Sequence, residues 1–126
     1  MKIGLLLILI FIIGCTSNVK VEVAPVKEKF NEGTDQIVEI EVVAKQFSFN
    51  PNPILVNEGE NVRLILTTED VEHGFAVKEY GINEKIMPGE TTTVEFTADK
   101  TGEFEVRCSV SCGSGHSGMK GKLIVR

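Results

Sequence analysis

From Ile37 onward, apolar and polar residues alternate in short runs separated by turn residues. Ile37 to Ala44 reads Ile-Val-Glu-Ile-Glu-Val-Val-Ala. Gln46 to Asn50 places Phe47 and Phe49 on one face and stops at Pro51. Ile54-Leu-Val is followed by the turn Asn57-Glu-Gly59. Asn61 to Thr67 alternates through Val62, Leu64 and Leu66, and Glu72 to Lys78 carries Phe75 and Val77. Thr91 to Thr97, Glu103 to Arg107 and Lys120 to Arg126 complete the series, with Gly89 and Gly102 marking turns. A period of two puts alternate side chains on opposite faces, as a half-buried strand requires. Seven or eight short strands and no convincing helix predict an all-β domain over residues 37–126, a Greek-key β-sandwich at this size.

The start of the chain follows another rule. Lys2 precedes an apolar run from Ile3 to Ile13, and Gly14-Cys15 follows. A membrane-spanning helix needs about 20 apolar residues, so this run is too short to cross comfortably. A positive residue, a short apolar stretch and a small residue form an export signal. Ile12-Ile13-Gly14-Cys15 resembles the lipobox of secreted lipoproteins, which implies cleavage before Cys15 and acylation of its sulfur. An ordinary anchor helix, or a signal peptide with a chance Cys, is the alternative. Residues 1–14 are therefore expected to be a lipoprotein-type signal peptide and residues 15–36 a tether. The tether is polar and mixed in charge, with Pro25 and an Asn31-Glu-Gly33 turn. Within it, Val19-Lys-Val-Glu-Val alternates as a short strand would. The expected location is extracytoplasmic, on the membrane surface, held by lipidated Cys15.

Composition narrows the function. At 126 residues and 42% apolar content the chain can bury one compact core. The formal charge is -5 and no basic cluster exists, so nucleic acid is not an expected partner.

The chemistry is concentrated between Cys108 and Met119: Cys-Ser-Val-Ser-Cys-Gly-Ser-Gly-His-Ser-Gly-Met. Cys108, Cys112, His116 and Met119 are potential metal ligands, spaced C-x3-C-x3-H-x2-M, and the residues between them are almost all Gly or Ser. Small residues let a loop close tightly around an ion. Two thiolates, an imidazole and a thioether select copper or zinc, and a weak axial Met recurs in copper electron-transfer sites. A short-range disulfide between Cys108 and Cys112, or zinc held by two Cys and two His, are the other readings of the same residues. His73, in Asp70-Val-Glu-His-Gly-Phe, is the only other histidine. Loops from non-adjacent strands meet at one end of a sandwich, so His73 is expected to complete the site.

With these residues in place, the chain resembles the copper-binding domain of cytochrome c oxidase subunit II, a cupredoxin sandwich with a binuclear CuA centre. The resemblance spans about residues 40–126. It rests on Gln46-Phe-Ser-Phe, Asp70-Val-x-His-Gly-Phe, Met87-Pro-Gly, Thr97-Ala-Asp-Lys-x-Gly and, most specifically, Cys108-Ser-x-x-Cys112-Gly-x-x-His116-x-x-Met119. It implies Cys108 and Cys112 as bridging thiolates, His73 and His116 as terminal imidazoles and Met119 as an axial thioether. Val110 holds the position whose backbone carbonyl is the other axial ligand; the family usually has Glu there. His73, Cys112, His116 and Met119 alone would make a mononuclear blue-copper site. Cys108 is the addition that lets two thiolates bridge two coppers.

The function this implies is electron transfer, with no substrate chemistry of its own, as a subunit II-like component of a cytochrome c oxidase-type complex. The implied donor is cytochrome c or a blue-copper protein, and the implied acceptor is a haem–copper oxidase catalytic subunit. The acidic residues Glu69, Asp70 and Glu72 beside His73 would favour a basic donor. Three features depart from the family: a signal-like segment stands where two transmembrane helices are common, there is no Trp near the electron entry, and Phe104 replaces a frequent Tyr. A free-standing, lipid-tethered electron carrier or a copper-delivery module is therefore the alternative. Nitrous oxide reductase carries the same type of copper domain, but needs a second large catalytic domain that 126 residues cannot hold.

Overall fold

A computed structural model describes residues 36–126. The expected signal peptide, the lipidation site Cys15, the tether and the short strand at Val19 lie outside the described residues. Nine strands follow in chain order: β1 (Ile37–Lys45), β2 (Ser48–Asn50), β3 (Ile54–Val56), β4 (Asn61–Thr68), β5 (His73–Val77), β6 (Ile82–Ile86), β7 (Thr92–Thr97), β8 (Gly102–Arg107) and β9 (Lys120–Val125). The only helical pieces among the described residues are single 3-10 turns at Lys78–Tyr80 and His116–Gly118.

The strands form two sheets, in the order β2-β1-β4-β7 and β3-β9-β8-β5-β6. β1 runs parallel to β4 and β3 parallel to β9, while the other pairs are antiparallel. The expected β-sandwich is thus observed. Alternation explains its core: Val42 and Ala44 of β1, Val62, Leu64 and Leu66 of β4, Phe75 and Val77 of β5, and Leu123 and Val125 of β9 all point inward. Burying a Val, Leu or Phe contributes roughly 1.5–3 kcal/mol each, so these inner faces drive the two sheets together. The outer face is polar. Arg63 bridges Glu39 at 2.9 Å and Glu95 at 2.7 Å, following the register that sets β4 between β1 and β7.

Strand β6 has no counterpart in the sequence reading. Its residues Ile-Asn-Glu-Lys-Ile bury only the two terminal isoleucines and expose the three polar residues between them. It is an edge strand held by β5, so its position comes from pairing and not from a pattern of its own.

Two features of the topology position the loops. β5 and β8 are separated in the chain by β6 and β7, yet are hydrogen-bonded antiparallel neighbours. The start of β5 therefore lies beside the end of β8, which puts His73 against Cys108. At the other sheet, the corner between β1 and β2 comes close to the same end, and the Glu69 N–H donates to the Ala44 carbonyl at 3.0 Å.

Candidate metal centre

The loop between β8 and β9 closes on itself. The Cys108 N–H donates to the Met119 carbonyl at 3.2 Å and forms a neck. Inside the neck, His116, Gly118 and Met119 donate in turn to the carbonyls of Gly113, Gly115 and His116, at 3.1, 3.0 and 3.1 Å. Gly113 has φ +135, a conformation that side chains rarely adopt. This turn brings Cys112, His116 and Met119 to one side of the loop.

β5 is the opposite wall. Gly74 is needed there because a Cβ would stand 2.6 Å from the Ser109 nitrogen and 2.7 Å from that of Val110, both backbone atoms that cannot swing away. The bare backbone instead lets the Gly74 N–H approach the Cys108 sulfur at 3.4 Å. Close approach also seals the site: His73, Cys108, Cys112 and Met119 are all buried, and His116 is partly exposed.

The donor atoms form a chain. His73 Nδ1 lies 3.9 Å from Cys108 Sγ, Cys108 Sγ lies 3.6 Å from Cys112 Sγ, and Cys112 Sγ lies 3.7 Å from His116 Nδ1. Met119 Sδ is 3.7 Å from Cys112 Sγ, and the Val110 carbonyl oxygen is 3.1 Å from Cys108 Sγ. The structure thus brings together the six residues expected at the centre: His73, Cys108, Val110, Cys112, His116 and Met119. The ligand atoms of His73, Cys108 and Cys112 are mutually within 4.8 Å, and His116 falls outside that group of three.

The donor set fits a metal. Metal–sulfur bonds of about 2.3 Å and metal–nitrogen bonds of about 2.0 Å place two donors of one tetrahedral ion roughly 3.5–3.8 Å apart. The spacings along this chain of donors are close to that. A disulfide would require about 2.05 Å between the sulfurs, so both cysteines are free thiols here. Burial, reinforced by the neighbouring Cys108 thiol, pushes the Cys112 thiol up to about 11. Metal coordination would deprotonate such a thiol outright.

The sequence left the groups that orient the imidazoles unidentified. For His73 that group is Asp70, whose Oδ1 lies 2.8 Å from Nε2. The backbone N–H of Gln46 is the main cause holding the Asp70 carboxyl well below the usual carboxylate range, followed by His73 and the Val71 N–H. An ionised carboxylate can only accept a hydrogen bond. The His73 proton therefore sits on Nε2, and the Nδ1 lone pair faces Cys108. The motif Asp70-Val-Glu-His carried this signal in its i,i+3 spacing. Glu72, also grouped there with the acids facing a donor, pairs instead with Lys85 at 3.0 Å, while Glu69 is exposed.

Comparison with known proteins gives the same picture. A family model described as a cupredoxin-like domain matches residues 5–125. Cytochrome c oxidase subunit 2 of Thermus thermophilus is 40% identical over 85 residues, covering 68% of this chain and 63% of that protein. Nitrous-oxide reductase of Cupriavidus necator is 35% identical over 92 residues, 70% of this chain but 14% of the enzyme. The periplasmic domain of cytochrome oxidase subunit II from Bradyrhizobium japonicum superimposes with a TM-score of 0.66 at 25% identity, covering 71% of this chain and 83% of that one. The chain spans between about half and two thirds of the length of the first curated relatives it matches.

Proposed function

The chain belongs to the cupredoxin-like family, and on that premise we propose that it carries single electrons through a binuclear copper centre, as the subunit II-like component of a cytochrome c oxidase-type respiratory complex. The observation that carries the reading is the order of the donors. Each cysteine sulfur faces the other sulfur, one imidazole and one weak donor: His73 and the Val110 carbonyl for Cys108, His116 and Met119 for Cys112. A single tetrahedral ion would draw His73 and His116 into one cluster, whereas His116 stands outside the His73–Cys108–Cys112 group. Cys108 and Cys112 would bridge, His73 and His116 would cap the two ends, and Met119 and the Val110 carbonyl would be the weak axial donors.

Copper, when bound, supplies the one-electron couple. The protein supplies rigidity. The loop neck, the Gly74 approach and the Asp70–His73 bond hold the donors in place, so little has to rearrange when the charge changes. Both histidines of the sequence would serve the centre, which leaves no imidazole base for substrate chemistry. Among the donor side chains His116 is the partly exposed one, so a docked partner would meet the centre there. Exposed Glu69, close in sequence to His73, favours a basic donor such as a cytochrome c. Burial of His73, Cys108 and Met119 favours a resident metal over a cargo passed to another protein, which argues against a copper-delivery role.

We further propose that residues 1–14 are a lipoprotein-type signal, that Cys15 carries the lipid, and that residues 15–36 tether the copper domain on the extracytoplasmic membrane surface. Metal analysis of the reconstituted domain tests the central reading: two coppers per chain and a purple colour are expected, and one zinc per chain, unchanged in excess copper, would defeat it.

A further inference from the structure

The corner between β1 and β2 touches the centre without supplying a ligand. Gln46 makes two bonds there. Its backbone N–H donates to Asp70 Oδ2 at 2.7 Å, and its side-chain Nε2–H donates to the Cys112 carbonyl at 2.6 Å. Asp70 in turn holds His73. One residue therefore joins the carboxylate behind one end of the donor chain to the backbone of the cysteine near the other end. Phe47, next in the chain, lays its ring on the loop: a Cβ at Gly115 would stand 2.6 Å from Phe47 Cγ, and one at Gly113 would stand 2.8 Å from Gln46 Nε2. These glycines leave room for the corner, and the ring covers the segment that leads into His116. Phe47 remains 36% exposed despite this seat, so little else covers it.

We propose that Gln46 is a positioning residue of the metal centre, and that with Phe47 it forms a clasp that keeps Cys112 and His116 in their ligating arrangement before and after metal binds. The clasp acts across the two sheets, from the β1–β2 corner to the β8–β9 loop. Backbone hydrogen bonds close the loop at its neck and around His116, but its Gly and Ser residues add no apolar side chains to pack, so the Cys112 side leans on the clasp. Losing the Gln46 amide frees the Cys112 carbonyl and lets the Cys112 side of the loop open, while Cys108 stays under the Gly74 N–H. The proposal rests on the copper reading only for its second readout.

The test uses the full chain with Gln46→Leu, which keeps the bulk and removes the donor, and Gln46→Glu, which keeps the shape and replaces the donor with an acceptor. Val56→Ala, in β3 and paired with Val125 at the end of β9 away from Met119, controls for general loss of stability. In the metal-free proteins, alkylation by iodoacetamide is followed at each cysteine by peptide mapping. Both Gln46 variants are expected to react at least about tenfold faster at Cys112 with Cys108 unchanged, and Val56→Ala to match the wild type at both. In the copper-loaded proteins, release to EDTA is expected to be about 10–100-fold faster in both Gln46 variants, the usual scale for groups that orient ligands. Cys112 reactivity within twofold of wild type, or an equal rise in Val56→Ala, overturns the clasp whether or not copper binds. A raised Cys112 rate in a chain that takes up no copper supports the clasp and overturns the copper reading alone.

Discussion

The sulfurs of Cys108 and Cys112 stand 3.6 Å apart, at the separation of two donors that share a metal and well beyond a disulfide. Three residues of loop separate them, and the neck bond from the Cys108 N–H to the Met119 carbonyl keeps the loop from spreading. With the Gln46 amide on the Cys112 carbonyl, that bond places the pair before any ion arrives.

If both sulfurs bridge, Cys108→Ser removes one bridge and leaves His73, Cys112, His116 and Met119, the donor set of a mononuclear blue-copper site. Copper content is expected to fall from two per chain to one with the fold retained. A variant that keeps two coppers and the same visible spectrum would show that Cys108 is not a bridge.

Gly74→Ala places a Cβ among backbone atoms of Ser109 and Val110. Overpacking of this kind costs roughly 1–3 kcal/mol, and here the strain falls on the ligand loop. Gly59→Ala is the control: with φ +85 and no neighbour within 4 Å, it bears a backbone cost of roughly 1–2 kcal/mol away from the site. Both variants should melt earlier, but only Gly74→Ala should lose copper. Equal copper retention in the two would mean that the close approach of β5 does not matter to the centre.

Asp70→Asn removes the carboxylate that fixes the proton of His73 on Nε2. Copper affinity is expected to drop about 10–100-fold. A pH effect accompanies it. The folded state lowers the Asp70 carboxyl below its ordinary value of 3.8, so its contribution to stability is present above that pH and is lost as pH falls. Thermal unfolding of the metal-free wild type should weaken steadily below about pH 4, and the Asn variant should show a shallower acid slope over the same range. Parallel slopes would remove Asp70 as a source of acid sensitivity.

The lipid proposed at Cys15 rests on the short apolar run ending at Gly14-Cys15. A diacylated cysteine holds a membrane far more firmly than one chain does. Cys15→Ala should release the protein from membranes or leave an uncleaved precursor. Mass spectrometry that finds Cys15 unmodified, or the segment from Met1 to Gly14 retained, would favour an uncleaved anchor helix.

The metal loop was legible in the sequence because it is local. Cys108, Cys112, His116 and Met119 fall within one short segment, and the Gly and Ser residues between them announce a tight turn. The sandwich was legible for a related reason: period-two alternation reports which face of a strand meets the core, whatever the strand pairs with. Strand β6 escaped because an edge strand with only its two ends buried has no such pattern. His73 was reached through its rarity and motif, but its contact with Cys108 was decided by β5 and β8 lying side by side. The same holds for the Gln46 amide on Cys112, which joins residues 66 positions apart, and for Gly74 against Ser109. Those contacts depend on register and on which strands share a sheet. They are long-range consequences of packing the two sheets, and single-residue chemistry along the chain carries no record of them.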